Sequence, residues 1–112
     1  MKKVYWIVIG LVGIGIILGF FFFPTFKSNE KNAVQECINL CLEMKSKQNL
    51  TNGPCLSDNN PKWKIKDWVC DVAHWPRLPI DNLPENQCKD FREGRAHHFV
   101  EVDPECNFIR AY

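Results

Sequence analysis

Hydrophobic and polar positions divide the chain into an apolar leader and a mixed outer segment. An uninterrupted apolar run of 20 residues extends from Val4 to Phe23, after the basic pair Lys2-Lys3 and before Pro24. At about 1.5 Å per residue, a helix of this length spans roughly 30 Å, the thickness of the hydrocarbon core of a bilayer. The pattern predicts a transmembrane helix that contacts the bilayer through residues 4–23, and we assign residues 1–26 to a signal anchor.

A cleaved secretory signal is the alternative interpretation of this leader. Such a signal has an apolar stretch of about 7–15 residues and a cleavage site flanked by small residues. Here the run is longer, and bulky side chains dominate residues 20–26. We therefore expect an uncleaved, single-pass anchor with Lys2 and Lys3 in the cytoplasm and residues 27–112 outside it. The Gly15-x-x-x-Gly19 spacing would also allow the helix to self-associate.

The outer segment alternates between patterned and turn-rich stretches. From Ser28 to about Gln48, apolar residues recur at the three- and four-residue spacing of one helix face. Later stretches carry β-branched and aromatic residues in partial alternation, as in strands, and three prolines between His74 and Pro84 indicate an irregular loop. We expect an α+β domain over residues 27–112, in which one helix packs on a small antiparallel sheet. The predicted strands are Trp63–Val72, Arg95–Val102 and Asn107–Ala111, and the last two form a closing hairpin.

All six cysteines lie in the outer segment: Cys37, Cys41, Cys55, Cys70, Cys88 and Cys106. So small a domain buries little surface, and each disulfide in an oxidising compartment adds roughly 2–4 kcal/mol of stability. Zinc binding is the alternative, but structural zinc sites usually need two closely spaced ligand pairs, and only Cys37 and Cys41 are so spaced. We therefore predict three disulfides. Since Cys37 and Cys41 lie one helical turn apart, each needs a distant partner, and the working pairing is Cys37–Cys70, Cys41–Cys55 and Cys88–Cys106.

Composition limits the range of functions. With 112 residues and a formal net charge of +1, the chain is neither a multidomain enzyme nor a strongly basic nucleic-acid-binding protein. The sequence contains no phosphate-binding loop, no Gly-x-Ser-x-Gly and no His-Glu-x-x-His. We expect no catalytic residue, no metal, no cofactor and no nucleic-acid partner.

Three residues of the proline-rich loop are candidates for partner binding: His74, Trp75 and Arg77. An exposed Trp75 ring with arginines at its rim would suit a peptide or a glycan. The alternative is that Trp75 fills the core, as we expect of Trp63 and Trp68.

The histidines and one asparagine triplet can each be interpreted either as functional or as structural features. His74 could bind a metal together with His97 or His98, but neighbouring strand residues point to opposite faces, and structural roles are the simpler interpretation. Asn49-Leu50-Thr51 is an acceptor sequence for N-glycosylation, in what we expect to be an exposed turn.

The stretch from Val69 to Tyr112, VCDVAHWPRLPIDNLPENQCKDFREGRAHHFVEVDPECNFIRAY, is preceded by NGPCLS. It resembles a family of small archaeal membrane-anchored, cysteine-rich surface proteins to which no activity is assigned. The resemblance extends from about Ala33 to the carboxyl terminus and implies an archaeal cell surface. The apolar helix and the closing hairpin are also similar to type IV pilin-like proteins. However, no glycine cleavage position follows Lys2-Lys3, and no glutamate lies early in the apolar run.

These observations together predict a non-catalytic, single-pass protein of the cell membrane. Its disulfide-stabilised extracytoplasmic domain would bind a protein or glycan partner. One alternative is a structural subunit of a pilin-like filament or membrane complex, which would use the apolar helix for helix–helix contacts. The other is a small metal-binding protein or enzyme based on His74 with His97 or His98.

Overall fold

A computed structural model describes residues 28–112. The predicted transmembrane anchor, residues 1–26, lies outside the described residues, as does its bilayer contact through residues 4–23. Within the described part, no helix combines the length and the apolar character needed to cross a bilayer.

The first element is the helix α1, Ser28–Lys45, which confirms the helix predicted from the apolar spacing. Its buried residues are Ala33, Cys37, Leu40 and Cys41, and their spacing forms one stripe along the helix. A hydrogen-bonded turn follows, in which the Gln48 amide donates to the Met44 carbonyl at 2.9 Å. The helix therefore presents a narrow apolar face that needs a partner surface.

That surface is a three-stranded mixed sheet of β1 (Trp68–Val72), β2 (His98–Val102) and β3 (Phe108–Ala111), in this order. β2 and β3 are antiparallel, as the predicted hairpin requires, but β1 and β2 are parallel. The prediction of a wholly antiparallel sheet is therefore wrong. Residues 73–97 form a crossover long enough to return the chain to the other end of the sheet. The crossover contains two short 3-10 turns, Pro79–Asn82 and Pro84–Asn86, and the one-turn helix α2, Lys89–Arg92.

The first strand is shorter than predicted, since it begins at Trp68 and not at Trp63. Asp67 has a left-handed backbone with φ of 68°, which interrupts the extended conformation just before the strand. The Trp63 indole still packs on the core and donates to the Trp68 carbonyl at 2.8 Å. Residues 54–56 extend the free edge of β1, because the Leu56 amide donates to the Cys70 carbonyl at 2.8 Å.

All six cysteines form disulfides, which confirms their predicted role. Of the working pairs only Cys37–Cys70 is correct; the other two disulfides are Cys41–Cys106 and Cys55–Cys88. One turn beyond Cys37, Cys41 faces the β2–β3 turn, which carries Cys106. Cys55 lies beside β1, and the crossover brings Cys88 to it. Both correct partners depend on how distant segments meet, which the spacing of the cysteines along the chain does not determine.

Candidate binding site on the outer sheet face

The sheet has two different faces. One face packs on α1 and contributes Cys70, Val72, Val100 and Val102 to the main core. Because strand residues alternate between faces, the opposite face, called the outer face here, carries Val69, Asp71, Phe99, Glu101 and Arg110. A small apolar cluster of Val69, Cys88 and Ala96, with Cys55 and Phe99 against it, covers part of this face.

The uncovered part of the outer face forms a cavity of about 250 Å³, called the outer cavity here. Strand residues form its floor, and the crossover segment, including α2, forms its wall. The aromatic rings of Phe91 and Phe99 meet edge to face, with centroids 5.0 Å apart. The lining residues are Val69, Asp71, Arg77, Gln87, Cys88, Phe91, Arg92, Phe99, Glu101 and Arg110. An apolar surface with a few converging charges is the usual character of a ligand site.

Glu101 accepts hydrogen bonds from two arginines of the outer cavity, Arg77 and Arg110. Its side chain is only 5% exposed, and its Oε2 accepts a hydrogen bond from Arg77 Nη1 at 2.8 Å. Arg110 Nε donates to the other carboxylate oxygen, Oε1, and the Arg110 guanidinium lies 5.2 Å from the centroid of the Phe99 ring. Glu101 is therefore a buried carboxylate with two cationic partners. Such partners are needed for a carboxylate to stay ionised inside a protein.

Asp71 lies opposite Glu101 in the parallel register of β1 and β2, but it has no comparable partner. It is 9% exposed, and its Oδ1 atom is sealed from solvent without a hydrogen bond among the described residues. Burial, and next the carboxylate of Glu101, raise the pKa of Asp71 to about 9, although Arg77 acts in the opposite direction. At neutral pH this side chain is therefore a neutral carboxylic acid, able to donate a hydrogen bond.

A second buried carboxyl, Asp81, fixes the proline-rich loop. Its Oδ2 accepts the amides of His74 and Leu78 at 3.0 and 2.9 Å, and its Oδ1 lies 2.9 Å from His74 Nδ1. Burial alone would raise the pKa of Asp81, but the Leu78 amide and then the hydrogen bonds from His74 lower it below its ordinary value. Arg77 Nη2 also donates to the Asp81 carbonyl at 3.3 Å. The loop conformation thus depends on one ionised carboxylate.

The three loop residues predicted to bind a partner, His74, Trp75 and Arg77, lie in three different surroundings. Arg77 lines the outer cavity, and Trp75, which is 75% exposed, lines a neighbouring cleft with Phe108 and Arg110. His74 lines neither and belongs to the Asp81 hydrogen bonds. Arg110 contributes to both the outer cavity and the cleft, so the two adjoin each other at this side chain.

The remaining histidines form a separate group with Asp67. His97 Nδ1 lies 2.6 Å from Asp67 Oδ1, and His98 Nε2 lies 3.6 Å from Asp67 Oδ2. Both rings therefore reach one carboxylate, contrary to the expectation from strand alternation, because His97 precedes the first residue of β2. The hydrogen bond from His97 lowers the pKa of Asp67.

The alternative of a metal site requires several ligating side chains close together. The one such group of three or more among residues 28–112 consists of Cys55, Asp71 and Cys88. Its two sulfurs are bonded to each other, so they are not the thiolates that a metal needs. His74, His97 and His98 do not belong to any such group in this part of the chain.

The acceptor sequence for glycosylation lies in an exposed turn, as expected of its surroundings. Asn49 is exposed and accepts the Thr51 amide at 2.9 Å through its Oδ1 atom, while Leu50 between them is buried. Its glycosylation stays a prediction.

From the sequence, Asp71 and Glu101 were considered only as possible companions of a histidine in a metal site, and Asp81 was given no role. A signal was present, because Asp71 and Glu101 are single acidic residues within the apolar strands VCDV and FVEV. An acidic residue in an otherwise buried strand is unusual unless it is paired or protonated. Bringing the two together also required the parallel register, which the prediction lacked.

No protein-family model, no curated protein and no solved structure matches this chain. The functional assignment therefore depends on the side chains that surround the outer cavity.

Proposed function

We propose that this protein is a membrane-anchored binding protein that uses the outer cavity and the adjoining Trp75 cleft to bind an acidic segment of a partner protein. The observation that carries the proposal is the combination of an apolar cavity, a rim of arginines and an exposed tryptophan in the adjoining cleft. Support for the location outside the cytoplasm comes from the apolar run over residues 4–23 and from the three disulfides, which persist in oxidising compartments. The resemblance to archaeal surface proteins agrees with this location.

Charge favours an acidic partner. With Asp71 protonated, the lining of the outer cavity carries three guanidinium groups and one carboxylate: Arg77, Arg92, Arg110 and Glu101. Arg77 and Arg110 both bind Glu101. The Arg92 guanidinium instead donates to the Pro84 carbonyl at 3.2 Å and binds no carboxylate among residues 28–112. The surplus positive charge would be met by a carboxylate of the partner.

Size favours a side chain over a larger ligand. The volume of about 250 Å³ is below the roughly 300–1,000 Å³ of pockets that enclose drug-sized molecules. Exposed apolar side chains of the outer cavity and the Trp75 cleft supply further contact area: Phe91, Trp75 and Phe108. One apolar side chain of a partner in the outer cavity, with a neighbouring acidic residue at Arg92, fits both the size and the charge.

The test is site-specific photo-crosslinking of the full-length chain in its native membrane. A photoreactive residue in place of Trp75 should capture a partner protein, whereas the same residue in place of Gln35, on the exposed side of α1, should not. Arg92→Glu should weaken capture at least about tenfold, the effect of losing one good charge contact. Arg95→Glu is its matched control, because Arg95 is exposed but does not line the outer cavity.

The outcomes distinguish the candidates. Equal capture from positions 75 and 35, or capture that Arg92→Glu and Arg95→Glu reduce equally, would refute the outer face as the binding surface. A captured product whose link is lost on removal of carbohydrate would replace the protein partner with a glycan.

A further inference from the structure

The three disulfides lie in different surroundings. Cys37–Cys70 and Cys41–Cys106 belong to the main core, and three of these four residues have no exposed surface. Cys55–Cys88 belongs to the other face of the sheet. Cys88, although only 4% exposed, lines the outer cavity, and Cys55 is partly exposed beside the edge of β1. In the main core, Cys106 is 6% exposed but does not line the outer cavity. A reagent in the outer cavity could therefore reach this disulfide without opening the main core.

Groups that can stabilise or protonate a sulfur anion surround the Cys55–Cys88 disulfide. Ser57 Oγ lies 3.5 Å from Cys55 Sγ and 3.8 Å from Cys88 Sγ. It accepts the Cys70 amide at 2.9 Å, so its own hydrogen is directed elsewhere and is available to sulfur. One carboxyl oxygen of Asp71 and both sulfurs lie within 4.8 Å of one another. At that distance a proton can pass through one water or after a small side-chain movement.

We propose that Cys55–Cys88 is an exchangeable disulfide that reacts with an external dithiol entering the outer cavity, with Asp71 as the proton donor to the leaving sulfur. The proposal does not depend on the proposed binding function, because it concerns a bond within this chain. It also goes beyond the expectation of a domain whose cysteines only stabilise the fold.

The exchange takes place in two steps. One thiol of the dithiol loses its proton to solvent, and its sulfur attacks Cys88 Sγ; the Cys55–Cys88 bond breaks, and its electron pair goes to Cys55 Sγ. Asp71 gives its proton to Cys55, which becomes a thiol. The second thiol then gives its proton to the Asp71 carboxylate and attacks the mixed disulfide, and Cys88 leaves and takes a proton from solvent. The dithiol is oxidised to a disulfide, and the protein gains two thiols.

The surroundings of Asp71 suit it to this role. The charged groups that face it are Glu101 on β2, Arg77 and Asp81 on the crossover, and Asp58 on the loop before β1. The three carboxyl groups among them raise its pKa and Arg77 lowers it, and burial is the largest cause of the rise. A carboxylic acid that keeps its proton at neutral pH can protonate a departing thiolate, which makes that sulfur a better leaving group.

The experiment uses the full-length chain in a non-ionic detergent and dithiothreitol as the external dithiol. Free thiols are alkylated at successive times, and the modified cysteines are identified by peptide mass mapping. We expect Cys55 and Cys88 to be modified at least about tenfold sooner than the four cysteines of the main core, with tryptophan fluorescence unchanged, since a disulfide with an accessible sulfur exchanges faster than an enclosed one. Loss of all three disulfides together, or earlier modification of Cys41 and Cys106, would overturn the proposal.

The role of Asp71 is tested separately. Asp71→Asn keeps the size of the side chain but cannot give a proton, and it should slow reduction of Cys55–Cys88 by roughly tenfold to a hundredfold at neutral pH. Wild-type protein supplies a test that needs no variant. Its rate, divided by the thiolate concentration of the reagent, should stay constant near neutral pH and fall as the pH passes about 9. An unchanged rate in Asp71→Asn together with a flat wild-type profile would remove Asp71 from the reaction.

Discussion

Replacing Asp71 with asparagine should stabilise the oxidised protein at neutral pH. In the folded domain burial, and then the charge of Glu101, raise the pKa of this carboxyl from 3.8 to about 9. Between these two values the folded state holds a proton that the unfolded chain has released. The free energy of unfolding therefore falls as the pH rises, and the contribution of Asp71 is fully favourable only below the pKa of the unfolded chain.

The size of the effect follows from the width of this interval. Each pH unit within it removes about 1.4 kcal/mol, so through Asp71 alone wild-type protein loses roughly 4 kcal/mol between about pH 4 and pH 7. Asparagine has nearly the shape of protonated aspartic acid, and it does not ionise. The two proteins should therefore be similarly stable near pH 4, and at pH 7 the variant should be more stable by roughly 4 kcal/mol.

Urea unfolding of the full-length chain in a non-ionic detergent, followed by tryptophan fluorescence without added thiol, measures this difference. Asp71→Leu is the companion variant, because it removes the same ionisation but changes the packing. Its stability should follow that of Asp71→Asn across the pH range, at a constant offset. If wild-type protein and Asp71→Asn keep a constant difference from about pH 4 to pH 7, Asp71 ionises normally in the folded chain and the reasoning is refuted.

Two further predictions concern the loop that Asp81 fixes. Gly53→Ala should lower the free energy of unfolding by at least about 1 kcal/mol more than Gly94→Ala. Both glycines have positive φ, which costs an alanine about 1–2 kcal/mol. Only at Gly53 would the new Cβ also clash, because it would lie 2.8 Å from Asp81 Oδ1. Thermal unfolding measures both variants, and equal losses would contradict the predicted clash. Asp81→Asn should cost roughly 3 kcal/mol at neutral pH, because an amide cannot accept the two backbone amides and the His74 ring at once. The pKa of Asp81 is lowered in the folded protein. The stabilisation by the Asp81 carboxylate is therefore present above the ordinary pKa of an aspartic acid and should be lost as the pH falls through the lowered pKa. If Asp81→Asn is still less stable than wild-type protein by the same amount in acid, this account is contradicted.

The elements that depend on local pattern could be predicted from the sequence. The spacing of Cys37 and Cys41 with other apolar residues determined α1, and alternation with a turn at Asp103 determined the β2–β3 hairpin. The prediction failed where the outcome depends on how distant segments meet. Pattern alone does not distinguish a parallel from an antiparallel strand, and the direction of β1 is decided by the crossover of residues 73–97.

The candidate site, like the fold, could be predicted only in part from the sequence. Arg77 and Trp75 could be named as candidates because arginine and tryptophan in an irregular loop suit partner binding without any knowledge of the sheet. Asp71 and Glu101 acquire their properties from each other, across two strands whose relative direction was unknown. A residue whose pKa is determined by burial cannot be recognised before its burial is known.

The two sheet faces contribute differently to stability, and this difference explains how a small domain can tolerate the cost of burying Asp71. On the α1 face, two disulfides close chain separations of 33 and 65 residues, and each restricts the unfolded chain by about 4 kcal/mol in the loop-entropy account. Either gain is comparable to the loss that Asp71 causes at neutral pH. Cross-links on one face therefore allow the opposite face to carry a buried carboxyl group whose Oδ1 atom has no hydrogen bond among residues 28–112. Such a group contributes nothing to stability at neutral pH, and costly groups of this kind are concentrated at functional sites. Asp71 lines the outer cavity and lies within 4.8 Å of both sulfurs of the Cys55–Cys88 disulfide, as the proposed exchange reaction requires.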